Sequence, residues 1–330
     1  METIKIGLLG LGNIGAGTYK VLDMNRAEIE AAAGARVIID KILEKDTEKK
    51  RDVPVNPDEF TQNPDDIFKD PEIDVVVELL GGVEPATSFM LDAMKHKKHV
   101  ITANKAAVAA NFDKLHKCAE ENDIIFRYEA GVGGGIPILN AITTVLKGNK
   151  FFEVMGIVNG TTNYILTKMT DDGLAYDDVL KEAQEKGFAE PDPTADVEGI
   201  DVANKLTILM ALMFDKYIKP EDIPTAGISK ITKPQIEAAK ANGCKIKLLA
   251  IAKNTGGKFE YCVKPELLKN DHPLAGVNNE FNAIFIRGNA VGDLMFYGKG
   301  AGPLPTGSAV IGDVIEIAKA ISLCKKCRGA

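Results

Sequence analysis

Five carboxylates fall within the twelve residues from Glu190 to Asp201: Glu190, Asp192, Asp196, Glu198 and Asp201. After Gly199 the pattern becomes that of a helix running to about Phe214, with Leu206, Ile208, Leu209, Met210, Leu212 and Met213 covering most of its circumference. A helix apolar nearly all round is buried. Asp201 and Lys205 are four apart on that helix, share one face, and are charges on an otherwise buried element. Buried charges are costly unless paired, so these two face each other or a ligand. One reading is an ion pair that only anchors the helix. The other is chemistry: a lysine in an apolar site acts as a general acid or base, and Glu190 and Asp196 hold the ammonium group of an amino-acid substrate. A divalent metal site built from the same carboxylates is a rival, made less natural by the prolines at 191 and 193.

Such groups need a scaffold, and the chain begins with one. Lys5-Ile6-Gly7-Leu8-Leu9 is a short apolar run, followed by Gly10-Leu11-Gly12-Asn13-Ile14-Gly15 and by helical apolar spacing through Tyr19, Val21 and Leu22. In a strand, glycine turn and helix, Gly10 makes the tight turn, Gly12 lets backbone approach a pyrophosphate, and Gly15 lets the helix pack closely. The helix N-terminus then offers free N–H groups to phosphates. The competing reading is a structural turn in another α/β domain.

A second strand, Arg36 to Leu43, ends in Glu44-Lys45-Asp46, with further cations at Lys49, Lys50 and Arg51. A carboxylate there hydrogen-bonds a ribose 2′-OH, whereas a lysine or arginine accommodates a 2′-phosphate. Both kinds are present, so NAD and NADP both remain open, as does a solvated charge run. Asp74 to Leu80 is near-continuously apolar, as a strand covered on both faces requires, and ends at Gly81-Gly82, on the edge where such sheets bind ligands. An amphipathic stretch from Pro85 to His96 precedes a strand at His99 to Thr102, which leads into Ala103-Asn104-Lys105. Lys105 is placed to reach cofactor or substrate, or else begins the next helix as a solvent lysine.

A further strand at Ile124 to Tyr128 leads into Glu129-Ala130-Gly131-Val132-Gly133-Gly134-Gly135-Ile136-Pro137. The glycines permit unusual backbone angles and expose carbonyl oxygens. With the Glu129 carboxylate these oxygens could ring a hard cation. A hinge crossing between domains is the competing reading.

At 330 residues, with net charge −7 and no basic stripe, the chain is long enough for two domains and unsuited to nucleic acid as main partner. It lacks tryptophan, so little is available for base stacking. Five scattered cysteines point to a reducing compartment, expected to be the cytoplasm. No apolar run approaches the ~20 residues of a membrane span, and no signal peptide is visible. Cys324 and Cys327 form half of a zinc pattern with no second half, and are read as idle cysteines of a frayed terminus.

Taken together, the Gly10–Gly15 turn, Thr102-Ala103-Asn104-Lys105, Glu129 to Pro137, Asn159-Gly160-Thr161-Thr162-Asn163-Tyr164-Ile165-Leu166, Glu190 to Lys205, and Gly298 to Thr306 resemble homoserine dehydrogenase across nearly the whole chain. The resemblance implies an α/β fold: an N-terminal Rossmann NAD(P)-binding domain over 1–131, completed by a C-terminal helix at 306–330, and an α+β domain over 132–305 that binds substrate and dimerises. It implies reversible reduction of L-aspartate 4-semialdehyde to L-homoserine in threonine, methionine and isoleucine biosynthesis, with Lys205 as proton donor, and Lys105 and Asp201 also catalytic. Glu190, Asp196 and Asp201 would bind substrate. Gly10, Gly12, Asn13, Ile14, Gly15, Lys45, Gly81, Lys105, Gly187 and Gly302 would contact NADP or NAD. Glu129, with backbone oxygens of Val132, Gly134 and Ile136, would hold a sodium ion.

Phe188 stands where some members have tyrosine, which removes a hydroxyl contact from that position. Many members also carry a C-terminal ACT domain that senses threonine, and none is expected here. Two alternatives remain from sequence: a Rossmann dehydrogenase acting on a related semialdehyde, and a redox sensor that binds NAD(P) without turnover.

Overall fold

The computed structural model describes residues 2–49 and 51–328, with side chains through Leu323. The chain divides into two compact units, one of residues 1–135 with 302–330 and the other of residues 136–301. The joins read from sequence were 131/132 and 305/306; the compact units meet at 135/136 and 301/302.

The first unit is built on six parallel strands, β1 (Thr3–Leu9), β2 (Arg36–Leu43), β3 (Phe60–Thr61), β4 (Val75–Glu78), β5 (His99–Thr102) and β6 (Phe126–Arg127), in the order β3-β2-β1-β4-β5-β6. This is the doubly wound order, whose direction reverses between β1 and β4 and opens a crevice at the carboxyl ends of those two strands. All four residues of β4 are buried, because helices cover both faces of a parallel sheet. Ile4, Ile6, Leu8, Val75, Val77 and Ile101 form the core with Val21 and Leu22 of the helix Asn13–Met24 and with Val310, Val314 and Ile317 of the helix Pro303–Arg328. The last helix, read from sequence as starting near 306, begins at Pro303. Proline is tolerated in a first turn, where its missing N–H has no intrahelical partner. The late glycine loop accordingly shrinks to 300–302, since strand pairing runs to Lys299. The strand expected over Ile124 to Tyr128 is two residues long, because Glu129–Gly131 already turns as a 3-10 helix. Cys324 and Cys327 lie outside the residues whose side chains are described.

The second unit is an antiparallel sheet of β7 (Phe151–Ile157), β8 (Cys244–Thr255), β9 (Lys258–Lys269), β10 (Phe281–Gly288) and β11 (Gly292–Lys299), ordered β11-β10-β7-β8-β9. Helices Gly160–Asp171, Ile200–Phe214 and Lys233–Ala241 pack against β8. A separate apolar cluster joins Ile157, Leu249, Ile251 and Phe285 to Leu274 and Val277. Among the described residues no helix is long and apolar enough to cross a membrane.

Candidate active site

In the first unit the glycine turn has the form its sequence demands. Gly10 sits at φ +94°, a left-handed conformation that disfavours any side chain. A β-carbon at Gly15 would lie 2.3 Å from the Gly10 carbonyl oxygen, so the helix starts against the turn only because residue 15 is glycine. A side chain at Gly12 would meet nothing within 4 Å, so its position faces open space of the kind an approaching phosphate needs. Asn13 and Ile14 open the helix whose N-terminus faces that space. These residues fit a dinucleotide.

The end of β2 is occupied by a folded cluster. Glu44 accepts from the Leu11 amide at 3.0 Å and from the Lys45 amide at 3.0 Å. Arg51, largely buried, lies 3.3 Å from the Glu44 oxygen that accepts from Leu11, stacks over the Phe60 ring at 5.0 Å, and donates to the carbonyls of Asp46 and Lys49. Sequence reading singled out Lys45, which is exposed; the residue drawn into the structure is Arg51.

At the ends of β4 and β5 lies a feature the sequence reading missed. Glu78 is fully buried and accepts from the Thr102 hydroxyl at 2.5 Å and the Leu80 amide at 2.6 Å. Burial pushes its carboxyl up to about 7, against the opposing effect of hydrogen bonds from Thr102, Leu80 and Asn104. Asn104 caps the helix Lys105–Ala110 through the Ala107 amide, and its side-chain amide donates to the carbonyls of Leu80 and Gly82. Gly81 and Lys105 are thus held by one network. The signal available in sequence was an acidic residue inside an otherwise apolar run.

Glu129 is buried, and its backbone N–H donates to Asp313 at 3.0 Å. Burial holds the Asp313 carboxyl well above its ordinary range, and the charge of Glu129 adds to that shift. Gly133 and Gly134 follow in left-handed conformations, at φ +75° and +55°. Val132 and Ile136 are buried. Gly302, at φ +116°, precedes the final helix.

In the second unit the expected pair forms. Lys205 Nζ donates to Asp201 Oδ2 at 2.6 Å and to the Val158 carbonyl at 2.6 Å, and both charged residues are 8% exposed. Asn159, which no role was assigned from sequence, ties the cluster together. Its amide donates to Asp196 at 2.7 Å and Asp201 at 2.9 Å, while its carbonyl oxygen accepts from the Thr162 amide and so caps the helix Gly160–Asp171. Burial raises the Asp196 carboxyl above its ordinary value, opposed by the Asn159 hydrogen bond, with the like charge of Asp201 raising it further. Glu190 does not join this hydrogen-bonded group among the described residues. It is exposed, on a segment held by Gln184 through the carbonyls of Glu190 and Pro191. Gly187, at φ +75°, ends the preceding helix Tyr176–Glu185. Among the described residues no three His, Cys, Asp or Glu side chains gather as a metal set, and of the carboxylates after Glu190, Asp196 and Asp201 are joined through Asn159.

A buried lysine can protonate a developing alkoxide while the carboxylates beside it bind a cationic substrate group, which suits an amino-acid aldehyde or alcohol. Comparison with known proteins agrees. A family model described as homoserine dehydrogenase matches residues 137–315, and one for the NAD-binding domain of homoserine dehydrogenase matches residues 10–129. The homoserine dehydrogenase of Bacillus subtilis (strain 168) is 45% identical over 323 residues, covering 98% of this chain and 75% of its own. The crystal structure of a homoserine dehydrogenase from Thiobacillus denitrificans matches with TM-score 0.94 at 42% identity, over 98% of this chain and 75% of that one. A hyperthermophilic archaeal homoserine dehydrogenase solved in complex with NADPH matches with TM-score 0.79 at 27% identity, over 96% of this chain and 97% of that one. This chain belongs to the homoserine dehydrogenase family of NAD(P)-dependent oxidoreductases.

Proposed function

We propose that this chain interconverts L-aspartate 4-semialdehyde and L-homoserine for threonine, methionine and isoleucine biosynthesis, with Lys205 as the proton donor. The observation that carries the assignment of Lys205 is its pairing with Asp201, inside a cluster that Asn159 extends to Asp196. Two hydrogen bonds fix the direction of the Lys205 ammonium, so it delivers a proton without first reorganising. Asp201 orients the lysine, and Asp196 and Asp201, with Glu190 at the edge, receive the ammonium group of the substrate. The nicotinamide cofactor supplies the hydride. Gly10, Gly12, Asn13, Ile14, Gly15 and Gly81 hold it, with Lys45, Gly187 and Gly302 as further contacts and Lys105 assigned to the cofactor side of the reaction.

The same reading gives Glu129 and the carbonyls of Val132, Gly134 and Ile136 a sodium ion. The burial of Glu129 and the left-handed glycines beside it support this. A homodimer is also inferred. Met295 and Tyr297 pair across the sheet with Phe285 and Ala283, extending that apolar face to two large exposed side chains for a second copy to cover.

The test is absorbance at the nicotinamide band with purified protein, L-homoserine, and NAD or NADP in parallel, in sodium and then in potassium. Reduction that requires homoserine is expected. Cofactor binding without reduction, and without oxidation of NADH or NADPH by the semialdehyde, would replace this reading with another substrate or with a sensor.

A further inference from the structure

Glu78 is a carboxylate with zero exposure whose hydrogen bonds run to two different chain segments. One is its own strand end, through the Leu80 amide. The other is the end of β5, where the Thr102 hydroxyl donates to Glu78 and accepts from the Asn104 amide at 2.9 Å. Asn104 closes the loop by donating to Gly82 at 2.7 Å. The groups facing the carboxylate are neutral: Thr102 from β5, the Leu80 amide and Asn104, with Leu9 beside it on β1. The charged residues flanking the two segments are Glu84, which accepts from Ser88, and Lys105.

We propose that Glu78 is a positioning residue for cofactor binding: one buried carboxylate, shared between the ends of β4 and β5, sets the backbone of 79–82 and 102–105 against which the nicotinamide cofactor is bound. This rests on reading the first unit as the cofactor site. Ionised, the carboxylate is acceptor only and satisfies every donor aimed at it. Protonated, it turns one oxygen into a donor, leaves a buried N–H or O–H without its acceptor, and loosens both segments. Its carboxyl is raised to about 7 by burial, so that change falls near neutral pH.

The test measures NAD(P)H binding by fluorescence titration, without substrate, from pH 6 to 9 (a range chosen to bracket ~7), together with KM and kcat. Wild type should bind more weakly as pH falls through about 7. Glu78→Gln, a neutral mimic of the protonated state, should bind roughly ten- to hundredfold more weakly at high pH. It should also lose the inflection, and raise the cofactor KM much more than it lowers kcat. Thr102→Val removes the bridging hydroxyl without charge, so it should weaken binding in the same direction; it carries the test if Glu78→Gln fails to fold. Either variant binding as wild type, or Glu78→Gln keeping the wild-type pH dependence, would overturn the proposal. Wild type failing to bind cofactor at all would instead remove the reading on which it rests.

Discussion

Lys205 and Asp201 stand one helical turn apart, and the Asp201 oxygen that accepts from Lys205 at 2.6 Å also accepts from Asn159 at 2.9 Å. Removing the lysine leaves the Asn159 bond to Asp201 in place and takes away the proposed proton donor. Lys205→Ala should lower kcat by about 10²- to 10⁴-fold, the usual contribution of a positioned acid, with cofactor affinity unchanged. Steady-state kinetics and a separate cofactor titration check both halves, and a variant with wild-type kcat would sink the assignment.

Glu44 and Arg51 are paired just beyond the end of β2, and under the proposed cofactor reading they would act in opposite senses on the adenosine ribose. The carboxylate suits a 2′-OH and repels a 2′-phosphate, which the guanidinium attracts. Arg51→Ala should raise the KM for NADP by about tenfold or more while changing that for NAD only slightly, and Glu44→Ala should shift preference toward NADP. The ratio of kcat/KM for the two cofactors reads the result. Equal losses for both would show that the pair only shapes the loop.

Lys247 is 1% exposed in the second unit, donating to Asn163 at 2.9 Å and to the Val277 carbonyl at 2.6 Å. Burial lowers its ammonium from 10.5 to about 7. Between those values the unfolded chain holds the proton and the folded chain does not, so stability rises with pH across the window. The burden on folding is full below about 7 and vanishes above the unfolded value. In Lys247→Met the slope of unfolding free energy with pH over that range should fall by about 1.4 kcal/mol per pH unit. Urea denaturation at pH values spanning the window tests this; an unchanged slope would mean the lysine stays charged when buried.

Gly17 faces the start of the final helix so closely that a β-carbon would lie 2.2 Å from the Pro303 carbonyl oxygen. Gly17→Ala should therefore destabilise the protein by about 1–3 kcal/mol, despite the better helix propensity of alanine. Thermal unfolding would show it as a lowered Tm. An alanine variant as stable as wild type would mean that the final helix can shift away at little cost.

The parallel strands, the glycine turn, the buried helix after Gly199 and the Asp201–Lys205 face were all legible in the sequence, because each rests on local rules. Apolar runs mark covered strands, glycine marks turns that exclude a side chain, and residues four apart share a helix face. Nothing local could nominate Asn159, whose partners Asp196 and Asp201 lie 37 and 42 residues away, and the acid in the apolar run at Glu78 could not name its partner Thr102, 24 residues on. Nor could composition select Arg51 from the charges after β2, since only the packed loop brings it onto Glu44 and Phe60. Hydrogen bonds and charge pairs between distant segments depend on where the strands and helices set their ends, so tertiary structure decided which polar residues share a site. Periodicity and residue type had already decided which elements would carry them.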